Sequence, residues 1–179
     1  MAAAAGIDHL SNYLLYNYED YPEELYLRMK INVDLCDELG VAIYSFPMKY
    51  HPIRDPKYFR NRDFIGVHWN RKFVRAVQAV LNATKGKIGR GKSFFSEAFG
   101  QDVNGFFDIL WMPETFIIER MKYKENLTKE WRAAFLSLEG AARKEARAII
   151  AANDFSEAVT AQVERAEVRD LLRYYRVKK

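Results

Sequence analysis

The sequence predicts a mixed fold, α/β followed by α. A parallel β-α-β unit over residues 1–52 precedes a basic loop and a mostly helical C-terminal region over residues 53–179. Three observations carry that expectation. Two short apolar runs, LSNYLLY at 10–16 and VAIYSF at 41–46, flank one amphipathic segment with readable ends. Hydrophobic residues make up 49% of the chain and aromatics 15%, enough to bury a real core. Downstream of residue 69 the apolar residues recur at helical spacing, and no further strong strand signal is seen.

LSNYLLY reads as a buried strand, followed by the turn NYED. Residues 20–40 then read as a helix. Asp20 is placed to cap it, Glu23 stands three residues on as in a capping box, and Pro22 lies in the first turn, where its missing N–H costs nothing. Leu25, Met29, Val33, Cys36 and Leu39 form one apolar stripe, and Gly40 supplies the stop. VAIYSF is the second strand, ended by Pro47. Strands joined by such a helix should be parallel with a right-handed crossover. Parallel sheets are normally buried on both faces and have more than two strands. The unit therefore reads as part of a larger α/β fold.

HPIRDPKYFRNRD, from residue 51, is a polar loop with two prolines. Residues 69–84 read as a helix with Phe73, Val77, Val80 and Leu81 on its apolar face, and with Arg71, Lys72 and Arg75 mostly elsewhere. ATKGKIGRGKS is a glycine-rich turn region. FFSEAFG, DVNGFFDILWM, PETFIIERMKYKEN, LTKEWRAAFLSL, EGAARKEARAIIAAN and SEAVTAQVERAEVRDLLRYYRV all read as helical. In the last, Val159, Val163, Leu171, Leu172 and Tyr175 are the apolar positions.

Charge is unevenly placed. Residues 1–50 carry 8 acidic and 3 basic side chains, residues 51–100 carry 3 and 11, and residues 101–179 carry 13 and 14. The basic block at 54–92 is a candidate phosphate or nucleic-acid surface through Arg60, Arg62, His68, Arg71, Lys72, Lys87, Arg90 and Lys92, with Arg75 and Lys85 beside them. It reads equally as a solvated face or a contact for an acidic protein. The segment HWNRK, 68–72, could clamp a phosphate or carboxylate through Arg71 and a helix N-terminus, or Trp69 could simply anchor the helix. RYYRVKK at the end could stack bases, or be a frayed, soluble helix end. His9, His51 and His68 lack metal-ligand spacing, and no metal site is expected. A single cysteine, Cys36, excludes an intramolecular disulfide. No apolar run approaches membrane-spanning length and MAAAAGIDHL lacks a basic n-region, so a cytoplasmic protein is expected.

GKIGRGKS, 86–93, fits the P-loop pattern G-x-x-x-x-G-K-[ST] letter for letter. That pattern cradles phosphate only between a strand and a helix. Here a helical pattern precedes it and Gly100 interrupts the segment after it, so a flexible basic turn is the expectation.

The stretches LSNYLLYNYEDYPEELYLRMKINVDLCDELGVAIYSFPMKYHPI, RNRDFIGVHWNRKFVRAVQAVLNATKGKIGRGKSFFSEAFG and LWMPETFIIERMKY together resemble the C-terminal half of a group of bacterial radical S-adenosylmethionine (radical SAM) proteins. YSFPMKYHP and HWNRKFVRAVQAVLNATKG are the most specific phrases, and the resemblance spans roughly residues 10–155. It implies that the β-α-β unit is the end of a partial TIM-type barrel, whose chemistry lies at the C-terminal ends of the strands. Tyr16, Asn17, Phe46 and Met48 would then line the adenine and methionine of S-adenosylmethionine, or else Tyr16 and Phe46 simply pack the sheet. It also implies a [4Fe–4S] cluster on a C-x-x-x-C-x-x-C motif. This chain lacks that motif, so either a partner half covering the open sheet carries it, or the gene is truncated, or the domain has been reused for something else. The competing expectation is a nucleic-acid or acidic-partner binding module built on the basic block.

Overall fold

The computed structural model describes residues 5–88, 91–123 and 128–176. It opens with β1 (His9–Tyr16), α1 (Pro22–Leu39) and β2 (Ala42–Lys49), and the strands pair in parallel from His9 opposite Ala42 to Tyr16 opposite Lys49. Leu25, Met29 and Val33 of the expected stripe are buried and Cys36 is half-buried, while Leu39 turns to solvent. Gly40 ends α1 at φ 65°, a conformation that favours glycine. The helix starts one residue later than expected. Glu24 rather than Glu23 closes the box, accepting from Tyr21 N at 2.6 Å. Asp20 instead accepts from Arg28 Nη2 at 2.7 Å.

Pro47 does not end β2. Even-numbered amides of β2 face β1: Ala42 N donates to Asp8 O at 3.0 Å and Tyr50 N to Tyr16 O at 2.7 Å. Odd-numbered amides point outward, so the proline at 47 removes no ladder bond. On that outer edge Ile43 N donates to Cys36 Sγ at 3.3 Å.

The helical region continues with α2 (Pro56–Phe59), α3 (Arg71–Ala83), α4 (Lys92–Phe99), α5 (Val103–Trp111), α6 (Glu114–Tyr123), α7 (Lys129–Ser137), α8 (Gly140–Ala152), α9 (Glu157–Thr160) and α10 (Ala166–Leu172), with a short 3₁₀ turn at Arg173–Tyr175. Asn70 caps α3, its Oδ1 accepting from Phe73 N at 2.8 Å. Helix α3 is central and packs on α5, α6 and α8. One buried cluster runs from Leu14, Tyr16 and Leu25 through Val77 and Phe106 to Trp131 and Leu171.

The segment from 156 on is not one helix. Thr160 Oγ1 turns back to donate to Ser156 O at 3.0 Å, and the chain leaves the helix to bury Val163. Arg169 Nη1 then donates to the freed carbonyls of Val163 and Glu164 at 2.9 and 3.1 Å. Residues 173–176 are docked on the helices. Tyr175 OH accepts from Trp131 Nε1 at 3.0 Å and donates to Trp111 O at 2.7 Å. The rest of RYYRVKK, residues 177–179, lies outside the described residues.

Gly100 is fixed by a close approach. At φ 97°, a Cβ there would meet Gly105 C and Phe106 N at 2.6 Å. Gly100→Ala is expected to lower stability by about 2 kcal/mol, from backbone strain and the clash. Gly86→Ala, at φ 74° in open space, should lose clearly less. Urea midpoints of the two variants measure the difference.

Candidate functional site

Alternation along β1 and β2 gives the sheet two unlike faces. One packs under α1, where Asn32 Nδ2 donates to Ser45 Oγ at 2.8 Å. The other carries Tyr13, Leu15, Tyr44, Phe46 and Met48, all exposed, with Tyr13 at 71%. Register pairs Tyr13 with Phe46 and Leu15 with Met48, and the Tyr13 and Phe46 rings lie 5.9 Å apart. Of the expected cofactor residues, Phe46 and Met48 therefore sit together on a bare apolar face.

Tyr16 and Asn17 do not join them, which corrects the expectation of one wall. Tyr16 points to the opposite face, buried against Trp69 with ring centroids 5.2 Å apart, and burial pushes its phenol up. Asn17 is 0% exposed. Its Nδ2 donates to Phe64 O at 3.0 Å and its Oδ1 accepts from Gly66 N at 3.0 Å, so it clamps the chain rather than facing a ligand.

The basic block splits into groups. Lys85 and Lys87 are exposed beyond the C-terminal end of α3, opposite the end that bears Arg71. Lys92 Nζ lies 3.7 and 3.8 Å from Asp34 and Asp37 of α1. Arg90 lies outside the described residues. Arg60 is exposed just after α2. His68 stacks on Tyr21 at 3.6 Å, and Trp69 anchors the start of α3, its Nε1 donating to Asp20 O at 2.8 Å.

Lys72 is a further correction: it is 0% exposed, with Nζ lacking any hydrogen-bond partner, and cannot serve an exposed cationic surface. Burial lowers its ammonium to about 8, Glu114 opposing and Arg75 adding to the shift. The sequence hid this because Lys72 directly precedes Phe73, at the edge of the apolar stripe.

The remaining cations gather. Lys49, Arg62, Arg71 and Arg75 line one cleft of about 260 Å³ with Asp63 and Gln78. Lys49 Nζ donates to Arg62 O at 2.8 Å. Burial pushes this ammonium down, Asp63 pulls it partly back, and Arg71 adds to the depression. Arg75 is held in a two-point pair with Glu114 at 3.1 and 2.7 Å. Lys49 is the member that sequence reading missed, because it belongs to the strand and not to the basic block.

The element before Gly86 is α3, not a strand, and Lys92 faces carboxylates of α1. The stretch 86–93 therefore follows α3 and runs into α4, with residues 89–90 outside the described residues. Both His51 ring nitrogens are buried without a hydrogen-bond partner, unlike the exposed ring of His9. Among the described residues no group of three or more His, Cys, Asp or Glu side chains is arranged to hold a metal ion. Among them, too, no helix is long and apolar enough to cross a membrane.

No family model matches this chain, and no curated protein or solved structure matches it either. Two features can act chemically. The bare sheet face can pack apolar or aromatic groups, and the cationic cleft can hold negative charge.

Proposed function

We propose that this chain is the C-terminal portion of a radical SAM-type protein, completed by a partner polypeptide that adds parallel strands and carries the [4Fe–4S] cluster. The asymmetry of the two sheet edges is the observation that carries the reading. The outer edge of β2 is closed to strand addition, since Pro47 has no N–H and Ile43 N is taken by Cys36. The outer edge of β1 is open from His9 to Tyr13. Its odd-numbered residues turn away from β2, only the Leu15 carbonyl is occupied, accepting from Arg28 Nη2 at 2.9 Å, and no strand among the described residues pairs with this edge. A barrel-ending pair needs a closed last edge and an open first one.

The cluster does not fit on this chain. It needs three thiolates, and Cys36 is a single half-buried thiol already engaged with Ile43. Phe46 and Met48 fit better as an apolar wall for the adenosine part of S-adenosylmethionine, on the face that would look into the completed barrel. Alone, the chain is not catalytically competent.

The partner to test is any polypeptide encoded beside this gene with a C-x-x-x-C-x-x-C motif, co-expressed without oxygen; a neighbourhood without one overturns the two-chain reading. A stable complex in which the Ser11 and Tyr13 amides become slow to exchange hydrogen is the expected outcome. Ser11→Pro removes one outward donor without touching the β1–β2 ladder, and should weaken the complex at least tenfold. Phe46→Asp should do the same by placing a charge on the apolar face. A complex indifferent to both substitutions, or no association at all, overturns the reading.

A further inference from the structure

The cleft between the end of β2, the segment before α3 and the N-terminal half of α3 has the make-up of a binding site, independent of what covers the sheet. We infer that it takes the phosphate group of a small phosphomonoester, held by Lys49, Arg62 and Arg71 with Gln78 and Asn153 as neutral donors.

The charge count leads to a dianion. Arg75 is neutralised by Glu114 through both carboxylate oxygens. Three cations are left, Lys49, Arg62 and Arg71, against one carboxylate, Asp63, so the cleft holds two uncompensated positive charges. Among the described residues neither Arg62 nor Arg71 has a carboxylate in ion-pair distance. Surface arginines are commonly paired or spread apart, because like charges held together repel. Here three elements hold them together. Arg62 sits at φ 52°, unusual outside glycine, and is fixed by its carbonyl accepting from Lys49 Nζ and its N–H donating to Tyr58 O at 3.0 Å. Lys49 has only one of its three N–H groups so occupied, and Asn153 is likewise set at φ 53° beside the cleft. Burial already destabilises the Lys49 ammonium, and an anion beside it would reverse that. The donors are side chains, since Asn70 already caps the end of α3.

Size and layout favour a small molecule over a nucleic-acid strand. About 260 Å³ of half-open cleft has room for a phosphate and part of what it is attached to. A strand needs a continuous cationic track. Lys85 and Lys87 lie beyond the other end of α3, about 20 Å away at 1.5 Å per residue, and Lys92 is committed to Asp34 and Asp37. A guanidinium fork also suits phosphate geometry, and a dianion engages more of the cleft than a carboxylate does.

Titration calorimetry of the full chain with inorganic phosphate and with phenyl phosphate, at fixed ionic strength, tests this. Both should bind, and tighter above pH 7 as the dianion fills, while acetate binds at least tenfold more weakly. Arg71→Ala and Arg62→Ala should each weaken phosphate about tenfold or more, the size expected for one charge-assisted contact. Both residues are exposed, so circular dichroism should show unchanged folds. Lys87→Ala should have no effect. Vesicles containing phosphatidic acid, and a single-stranded oligonucleotide, separate the sources of phosphate. Tight vesicle binding lost in Arg71→Ala, with no response to phenyl phosphate, would replace the small-molecule ligand by a lipid and overturn the inference. Oligonucleotide binding reduced equally by Arg71→Ala and Lys87→Ala would overturn it in favour of a diffuse nucleic-acid surface. Equal heats for acetate and phosphate would overturn it as well.

Discussion

Asn17→Ala should destabilise the protein by about 4 kcal/mol, close to the limit a domain of this size tolerates. The side chain is wholly buried and makes two 3.0 Å hydrogen bonds, one to Phe64 O and one from Gly66 N. Removing it strands both backbone groups, each at about 1–3 kcal/mol. The residue also sits at φ 70°, where asparagine is tolerated and alanine costs about 1 kcal/mol more. Nothing can move in to compensate: even a Cβ on Gly66 would lie 2.2 Å from Tyr18 O. Asn17→Gly separates the terms. It keeps the backbone conformation and loses the bonds, so it should recover only about 1 kcal/mol of the loss. Urea unfolding followed by tryptophan fluorescence gives both values. An Asn17→Ala protein of unchanged stability would return this residue to the role of a ligand group at a strand end.

Asn17 also marks how far the sequence could be read. Its place just after an apolar run was legible, and so was the parallel unit around it, because α1 carries a 3.6-residue stripe between a proline start and a glycine stop. What Asn17 does was not legible, since its partners lie about fifty residues away and belong to no periodic pattern. Pro47 misled for a related reason. Whether a proline ends a strand depends on which edge its nitrogen faces, and that is set by register with β1. The cleft was half legible. Arg62, Arg71 and Arg75 stand out as part of a basic block, but composition does not say that Lys92 is drawn away by α1 or that Lys49 joins from the sheet. Helix existence was read correctly wherever one face is apolar over two turns. It failed after Thr160, where a side-chain bond and a buried valine break a chain with helical composition.

Lys72→Met should stabilise the protein at neutral pH, and the gain should vanish in alkali. The Lys72 ammonium is buried on α3 without a hydrogen-bond partner. Two charges face it: Glu114, which favours the ammonium but is engaged with Arg75, and Arg75, which opposes it. Burial wins, and the group falls from 10.5 to about 8. The unfolded chain therefore holds this proton more tightly than the folded one. Below pH 8 both states are charged and the full penalty applies. Between 8 and 10.5 the folded state deprotonates first, so this residue's contribution to stability rises with pH, and above 10.5 the penalty is gone. At about 1.4 kcal/mol per pH unit over that window, it comes to about 3 kcal/mol at pH 7. Methionine matches the length of lysine and has no charge to desolvate, so Lys72→Met should gain about 2–3 kcal/mol at pH 7 and match the parent near pH 10.5. Lys72→Arg cannot deprotonate in this range and should lose stability at every pH. Paired urea curves at pH 7 and pH 10 decide the matter. A destabilised Lys72→Met at pH 7 would mean that the ammonium is held by Glu114 after all, and that Arg75 is the freer cation of the two. That outcome would add a third uncompensated charge to the cleft, and so would bear directly on the anion it takes.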